Sequence, residues 1–297
     1  MNMNNKKLTV IKNNKNKSVT IVKNSLKFLS WNIQAPSTTE GDKFKIKEFK
    51  NVLQANDFIC LQESRRDVHL AGYRAECNNR KDNKYGGVAI LVKNEYKDGI
   101  EFIKDNNHTD YLVCRLKRTY FQQEDDIFLV NVYARPHNSK ESTSTDSGRE
   151  ILSKTEEIVN DLRQRGEVIL CGDFNARIAK LTGTIENDTS EFLPMPEDYE
   201  PDIHNARNSQ DLSMNSYCKQ FINLVSNNQL YILNGRTLGD FRGQYTSIQP
   251  KGCSVIDYFA VSSKIQSSVN FLKVQNLTMY SDHRPLKIWN FVVPPSH

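Results

Sequence analysis

The apolar positions of this chain fall mostly into short continuous or alternating runs, and only three stretches repeat with a helical period. Val168-Ile169-Leu170-Cys171 is four apolar residues in a row, the pattern of a strand covered on both faces. It leads into Gly172, Asp173, Phe174 and Asn175, so a buried strand exits into a carboxylate and an amide. Leu26–Ile33 alternates and predicts the first core strand, with Asn32 near its end. Asp57–Leu61 predicts a second strand, followed directly by Gln62 and Glu63. Tyr85–Val92 predicts a strand that opens on a Gly-Gly turn or bulge. Tyr111–Leu116 and Ile127–Tyr133 predict an antiparallel pair, and Leu230–Leu233, Gln244–Ile248, Val255–Ser262, Val269–Gln275 and Leu286–Val293 read as further strands. Helical spacing appears at Lys43–Ala55, at Arg149–Arg165 with Gly166 as its stop, and at Ser213–Asn227. The last places Met214, Tyr217, Cys218, Phe221 and Val225 inward.

Strands outnumber helices by about three to one and no repeat is visible, which predicts a single α+β domain of layered sheets over residues 26–293. Residues 1–24 hold six lysines and no acid, and read as a basic Asn/Lys-rich disordered tail. Without them, 34 basic residues face 35 acidic ones, so the net charge of +5 belongs to the tail. Attraction to a polyanion must therefore come from local patches or from that tail. The segment 182–211 carries eight acids against Arg207 and is too long for a simple connector. The six cysteines are widely spaced with no C-x-x-C pair, the usage of reduced, buried thiols inside a cell. No secretory signal or membrane span is expected, and an intracellular, nuclear location is.

The polar residues at strand exits are Asn32, Glu63, Tyr133, Asp173, Asn175, Asp257, Asp282 and His283. Singly, each has an ordinary reading: Gly-Asp-x-Asn is good turn chemistry, and a tyrosine ending a strand is usually half-buried core. Together they form the set that metal-assisted phosphodiester cleavage requires. Carboxylates hold a hard cation, amides and a histidine donate to phosphate oxygens, and a carboxylate accepts a proton from water.

Seven segments occur in the order found in the endonuclease/exonuclease/phosphatase superfamily, and the chain resembles that superfamily over nearly all of 26–293. They are Ser30-Trp31-Asn32-Ile33, Leu61-Gln62-Glu63, Gly86-Gly87-Val88-Ala89-Ile90, Val132-Tyr133, Gly172-Asp173-Phe174-Asn175, Ile256-Asp257-Tyr258 and Ser281-Asp282-His283. Within it the chain most resembles the endonuclease domains of non-LTR retrotransposons, on Tyr133-Ala134-Arg135-Pro136, Asn234-Gly235-Arg236-Thr237, Gly239-Asp240, Tyr245-Thr246 and Gly252–Tyr258. The resemblance implies a four-layer α/β sandwich, two packed mixed sheets flanked by helices as in DNases. It implies a Mg²⁺-dependent endonuclease that nicks DNA and leaves a 3′-hydroxyl, with Mn²⁺ as a substitute ion.

The implied roles are specific. Glu63 would be the principal Mg²⁺ ligand with Asp282 as its helper, and Asn32 would lie close to the metal or the phosphate. Asp173 would orient or deprotonate water, Asn175 would position the phosphate or that water, Tyr133 would contact the phosphate or the leaving oxygen, and His283, its tautomer fixed by Asp257, would stabilise the transition state. Arg135 and Thr246 join the substrate-binding surface. Gln34 stands where repair-type relatives often carry an acid. A reverse transcriptase module is expected in a full-length element, and no Tyr-x-Asp-Asp motif occurs in these residues. Two rivals share the residues: a phosphatase or RNA nuclease on the same fold, and an inactive nucleic-acid-binding module.

Overall fold

The structure is a computed structural model that describes residues 9–13, 17–21, 25–38, 41–80, 86–104, 109–136, 148–184 and 206–290. In chain order the principal strands are β1 (Leu26–Asn32), β2 (Phe58–Gln62), β3 (Tyr73–Asn78), β4 (Val88–Lys93), β5 (Ile100–Ile103), β6 (Tyr111–Leu116), β7 (Asp126–Tyr133), β8 (Gly166–Asp173), β9 (Leu230–Ile232), β10 (Asp257–Ser262), β11 (Val269–Val274) and β12 (Leu286–Asn290). They form two six-stranded sheets, ordered β11-β12-β1-β2-β4-β3 and β9-β10-β8-β7-β6-β5. Each sheet is antiparallel apart from one parallel pair at its middle, β1 with β2 and β7 with β8. A parallel pair needs a crossover. The chain supplies one through α1 (Lys47–Gln54) and the other through α2 (Gly148–Arg163).

Burial explains the layers. Phe28, Phe58 and Ile90 of the first sheet face Leu112, Leu129 and Phe259 of the second in one core. The outer face of the first sheet packs Trp31, Ile59 and Leu61 on Phe49 and Leu53 of α1. The outer face of the second packs Val130 and Leu170 on α2 and on α3 (Cys218–Asn227). The molecule is thus the expected four-layer sandwich of two mixed sheets between helices. One polar tie crosses the central core: Gln62 donates to Asn131 at 2.6 Å, and Asn131 donates to the carbonyls of Leu61 and Ala89 at 3.0 Å.

The structure departs from the apolar pattern at several ends. Helix α2 stops at Arg163, and Gly166 is the first residue of β8, where a Cβ would collide with the Asp126 carbonyl. Helix α3 starts five residues later than its periodicity suggests. Asn215 accepts from the N–H groups of Arg177 and Tyr217, so the chain is tied into a turn there, and Met214 is exposed. Edge strands β3 and β5 carry no continuous apolar run, because one side of an edge strand faces solvent. In the basic segment, Thr9–Asn13 and Lys17–Ile21 pair as an antiparallel hairpin, so these ten residues are not without structure. Their Val, Ile and Thr content favours a strand. All six cysteines are unpaired, and Cys253 is exposed rather than buried. Among the described residues no helix is long and apolar enough to cross a membrane. Residues 185–205, with seven of the eight acids of the 182–211 segment, lie outside the described residues. The eighth, Asp211, is buried, paired with Arg177 at 2.7 Å and accepting from the Val255 N–H. It presents no free negative charge.

Candidate active site

Topology brings the polar exits together. Strands β1, β2, β7 and β8 all finish at one edge of the sandwich. The antiparallel neighbours β10 and β12 begin there, which sets Asp257 opposite Asp173 and the 281–283 turn just beyond Asn32. Residues scattered over 250 positions of sequence meet because parallel crossovers reset the direction of the chain.

The result is an unbroken line of contacts. Asn32 Nδ2 donates to Glu63 Oε1 at 3.1 Å and to Asp173 Oδ2 at 2.9 Å. His283 Nε2 lies 3.9 Å from Asp173 Oδ2 and 3.6 Å from Asp282 Oδ1, beyond hydrogen-bond reach of both. Its Nδ1 faces both oxygens of Asp257 at 2.9 and 3.0 Å. The Asp257 carboxylate thus fixes the orientation of the ring and leaves Nε2 on the side of Asp173 and Asp282. Asp173 also accepts from the Asn175 N–H at 3.0 Å, and Asn175 Nδ2 donates to the Ala134 carbonyl at 2.8 Å.

The backbone at these exits is held against its preferences. Gln34, Ala35, Glu63, Arg65 and Asn175 all have positive φ, between +48° and +85°. Such residues cluster where a scaffold over-determines a functional site. Around Glu63 the cause is visible: Ser64 and Arg65 donate to the carbonyls of Gly87 and Gly86 at 3.1 Å each. A Cβ on Gly87 would come within 2.9 Å of Asn79 and 3.3 Å of the Arg65 nitrogen. The glycine pair lets the Glu63 loop close onto β4.

Electrostatics separate the carboxylates. Burial, and then the charge of Asp257, raise Asp173 to about 7, against the opposing pull of His283, Asn32 and the Asn175 N–H. Burial alone would lower His283, but the charges of Asp257 and Asp173 outweigh it and raise the imidazole to about 10. At neutral pH the ring is an imidazolium with Nε2–H directed into the site. Tyr133 is nearly buried, and its hydroxyl is held well above its ordinary range by burial and by the charges of Glu63 and Asp173.

Two groupings could hold a cation. The ligand atoms of Asp173, Asp257 and His283 lie within 4.8 Å of one another. They are engaged with each other and with Asn32 and Asn175, and a cation would have to break those bonds. Glu63 and Asp282 are the better fit. Their donors are oxygens, both side chains are partly exposed, and Asp282 Oδ1 is buried with no hydrogen-bond partner among the described residues. Asn32 ties Glu63 to Asp173 through its Nδ2, and its Oδ1 accepts from the Gln34 N–H at 2.9 Å.

Thr246 is fully buried; its Oγ1 accepts from the N–H groups of Ile256 and Asp257 at 3.1 Å each and so sets the Asp257 backbone. Arg135 is buried beside the start of α2, its carbonyl against Gly148. Gln34 Oε1 accepts from the Asp282 N–H at 3.1 Å, so the residue standing in for an acid still orders the site. Several supporting residues were given no role by the sequence reading, although Trp31 and Asn234 stand in the motifs that carry the resemblance. Trp31 Nε1 donates to the His283 carbonyl at 2.9 Å, and Asn234 holds both the Asp257 carbonyl and the Phe259 N–H. Lys43 and Arg65 place cations beside the carboxylates.

Comparison with known proteins bears on the family and the fold. The model of the Endonuclease/Exonuclease/phosphatase family matches residues 29–283. Among solved structures, a 3′ phosphatase, NExo, from Neisseria bound to a product DNA hairpin aligns with a TM-score of 0.59 at 18% identity, covering 89% of this chain and 98% of that one. The endonuclease domain of TRAS1, a telomere-specific non-LTR retrotransposon, aligns with a TM-score of 0.56 at 16% identity, covering 90% and 99%. The AP endonuclease LMAP from Leishmania major aligns with a TM-score of 0.60 at 18% identity, covering 90% and 88%. At these identities the structures speak for the fold. No curated protein sequence matched.

Proposed function

Because the chain belongs to the endonuclease/exonuclease/phosphatase family, we propose that it is a divalent-metal-dependent phosphodiesterase that nicks DNA and leaves a 3′-hydroxyl. The observation that carries the proposal is the continuous line Glu63–Asn32–Asp173–His283–Asp257, with His283 Nε2 and Asp282 Oδ1 turned toward one space. DNA as substrate is supported by the solved relatives, one of them seen with a DNA hairpin. Nicking to prime reverse transcription follows from the likeness to retrotransposon endonucleases.

Glu63 and Asp282 would hold Mg²⁺, or Mn²⁺ in its place, with Asn32 keeping Glu63 oriented. The ion would supply charge neutralisation on the phosphate and on the departing oxygen. Asp173, with its proton affinity raised toward neutrality, accepts a proton from water as the water oxygen bonds to phosphorus. His283 donates its Nε2–H to a non-bridging oxygen as negative charge accumulates there, while Asp257 balances the imidazolium. The phosphorus–O3′ bond breaks, and O3′ leaves toward Tyr133 and takes its proton from solvent. Asn175, braced by Ala134, stands beside Asp173 to position the water or the phosphate.

Incubation with supercoiled plasmid, with and without EDTA, tests the proposal. Wild-type protein should yield open circles only with free divalent ion. Asp173→Ala and His283→Ala should each nick at least about 10³-fold more slowly. Full nicking by both variants would overturn it.

A further inference from the structure

The outer face of the first sheet is covered unevenly. Its apolar cluster under α1 reaches Leu29 and Trp31 of β1 and takes in no residue of β11 or β12. Leu272, Val274, Leu286 and Ile288 of those two strands point into the central core, so alternation turns Phe271, Lys273, Lys287 and Trp289 outward. Register sets Phe271 beside Trp289, Lys273 beside Lys287, and Lys27 of β1 on the other side of Trp289. The rings are held in place. Phe271 meets Trp289 edge to face with centroids 5.1 Å apart, and a Cβ on Gly239 would strike the Phe271 ring at 2.6 Å. Lys287 Nζ is anchored to the Ala55 carbonyl at 3.0 Å and stands 4.9 Å from the centre of the indole. Trp289 nonetheless stays half-buried, while the chain's other tryptophan, Trp31, is buried. The lysines are not neutralised. Asp57 is the carboxylate whose charge reaches Lys287, and it is already bonded to Lys93 at 2.6 Å. Lys27, Lys273 and Lys287 enter no ion pair among the described residues. Like charges side by side in a ladder cost stability, so an anion on this face would be a net gain.

We propose that the open face of β1, β12 and β11 is a binding surface for single-stranded DNA, on which a base stacks against Trp289 and the phosphates lie against Lys27 and Lys273. Lys287 adds its charge from beside the indole. Aromatic rings in a basic track suit an unpaired strand, because every base has a π-face to stack and every nucleotide carries a phosphate. A duplex hides the faces of its bases and has no use for the indole. The surface is separate from the catalytic edge: Trp289 pairs with Lys27, five residues before Asn32, about 16 Å along the strand at ~3.3 Å per residue. Binding here goes beyond nicking and needs neither Glu63 nor a divalent ion. The choice of DNA over RNA rests on the substrate reading above.

Titration of the full chain with a short oligothymidylate in EDTA decides it. Wild-type tryptophan fluorescence should be quenched on saturation, because Trp289 is the indole that a base can reach. Trp289→Phe should lose the quench and keep most of the affinity, and Trp289→Ala should bind about 5- to 100-fold more weakly. Lys273 is exposed, so Lys273→Gln folds normally, and it should reduce the salt-dependence slope by about 0.7. Where Trp289→Ala does not fold, Lys273→Gln and the lost quench of Trp289→Phe carry the test. Unchanged affinity in Trp289→Ala together with an unchanged slope in Lys273→Gln would place the strand elsewhere, the basic amino-terminal segment included, and overturn the inference. So would a blunt duplex bound as tightly as the single strand, tighter binding of the ribonucleotide counterpart, or self-association abolished by Trp289→Ala with no oligonucleotide bound. Wild type that nicks plasmid and leaves the oligonucleotide unbound refutes this surface alone. Wild type that binds it with the quench and does not nick refutes the catalytic reading alone.

Discussion

The units β1–α1–β2 and β7–α2–β8 are the same device used twice. Each is the parallel pair at the middle of its sheet, and each delivers a carboxylate at the end of its second strand. Their outcomes differ. Glu63 lies one residue past its strand, in a left-handed turn, partly exposed and faced by Arg65. Asp173 is the last residue of its strand, wholly buried, with another carboxylate as its opposite number in the ladder. In the proposed mechanism Glu63, at the more open position, is the residue that holds the cation. Asp173 is built to be uneasy with its charge, and so to accept a proton. A shift of one residue past the strand end, and the neighbours met there, separate the proposed ion holder from the proposed base.

Exchanging charge for an isosteric amide breaks that contrast most severely on the buried side. Asp173→Asn should cost about 10³-fold or more in nicking and resist rescue by added metal, because the proton acceptor is gone. Glu63→Gln should cost about 10- to 100-fold at low Mn²⁺ and recover as Mn²⁺ is raised, because what is lost is affinity for the ion. Rescue of both, or of neither, would erase the proposed division of labour.

The pH profile sharpens it next. Asp173 must be unprotonated to act, so activity should rise with pH through about 7, and His283 must be protonated, so it should fall as pH passes about 10. A bound divalent cation favours the deprotonated forms and moves both limbs to lower pH. Asp257→Asn removes a charge that raises both groups. Both limbs should move down, the upper one further because it also loses the direct hydrogen bond. An unmoved upper limb would show that His283 is not the acid seen there.

The smallest expected effect concerns support rather than chemistry. Thr246→Val leaves the N–H groups of Ile256 and Asp257 without their acceptor and should destabilise the fold by about 1–3 kcal/mol. Thermal melting should show the loss, while the limiting pH values of the activity profile stay in place. A shifted upper limb would mean that Thr246 sets the His283–Asp257 pair more tightly than its two hydrogen bonds suggest.

Most core strands were legible because burial on both faces leaves continuous apolar runs, as at Val168–Cys171 and Phe58–Leu61. Edge strands Tyr73–Asn78 and Ile100–Ile103 were not, because half of each answers to solvent and its pairing partner is distant in sequence. The exits to Glu63, Asp173 and His283 could be named from one sequence, since a polar group directly after an apolar run is a local pattern. What Thr246, Asn32, Lys43 and Arg65 do could not. Thr246 passes for a strand residue and Arg65 for a solvated loop cation until the fold sets them against Asp257 and Glu63. That the nitrogen of Asn32 reaches two carboxylates while its oxygen takes the Gln34 N–H is not written in residue order. Residue order alone named the side chains that could carry the chemistry and called for a layered α+β sandwich to hold them. Tertiary structure alone decided their distances, their burial and therefore their charge states, because electrostatic energies depend on separation and surrounding medium, and neither is a property of residue order.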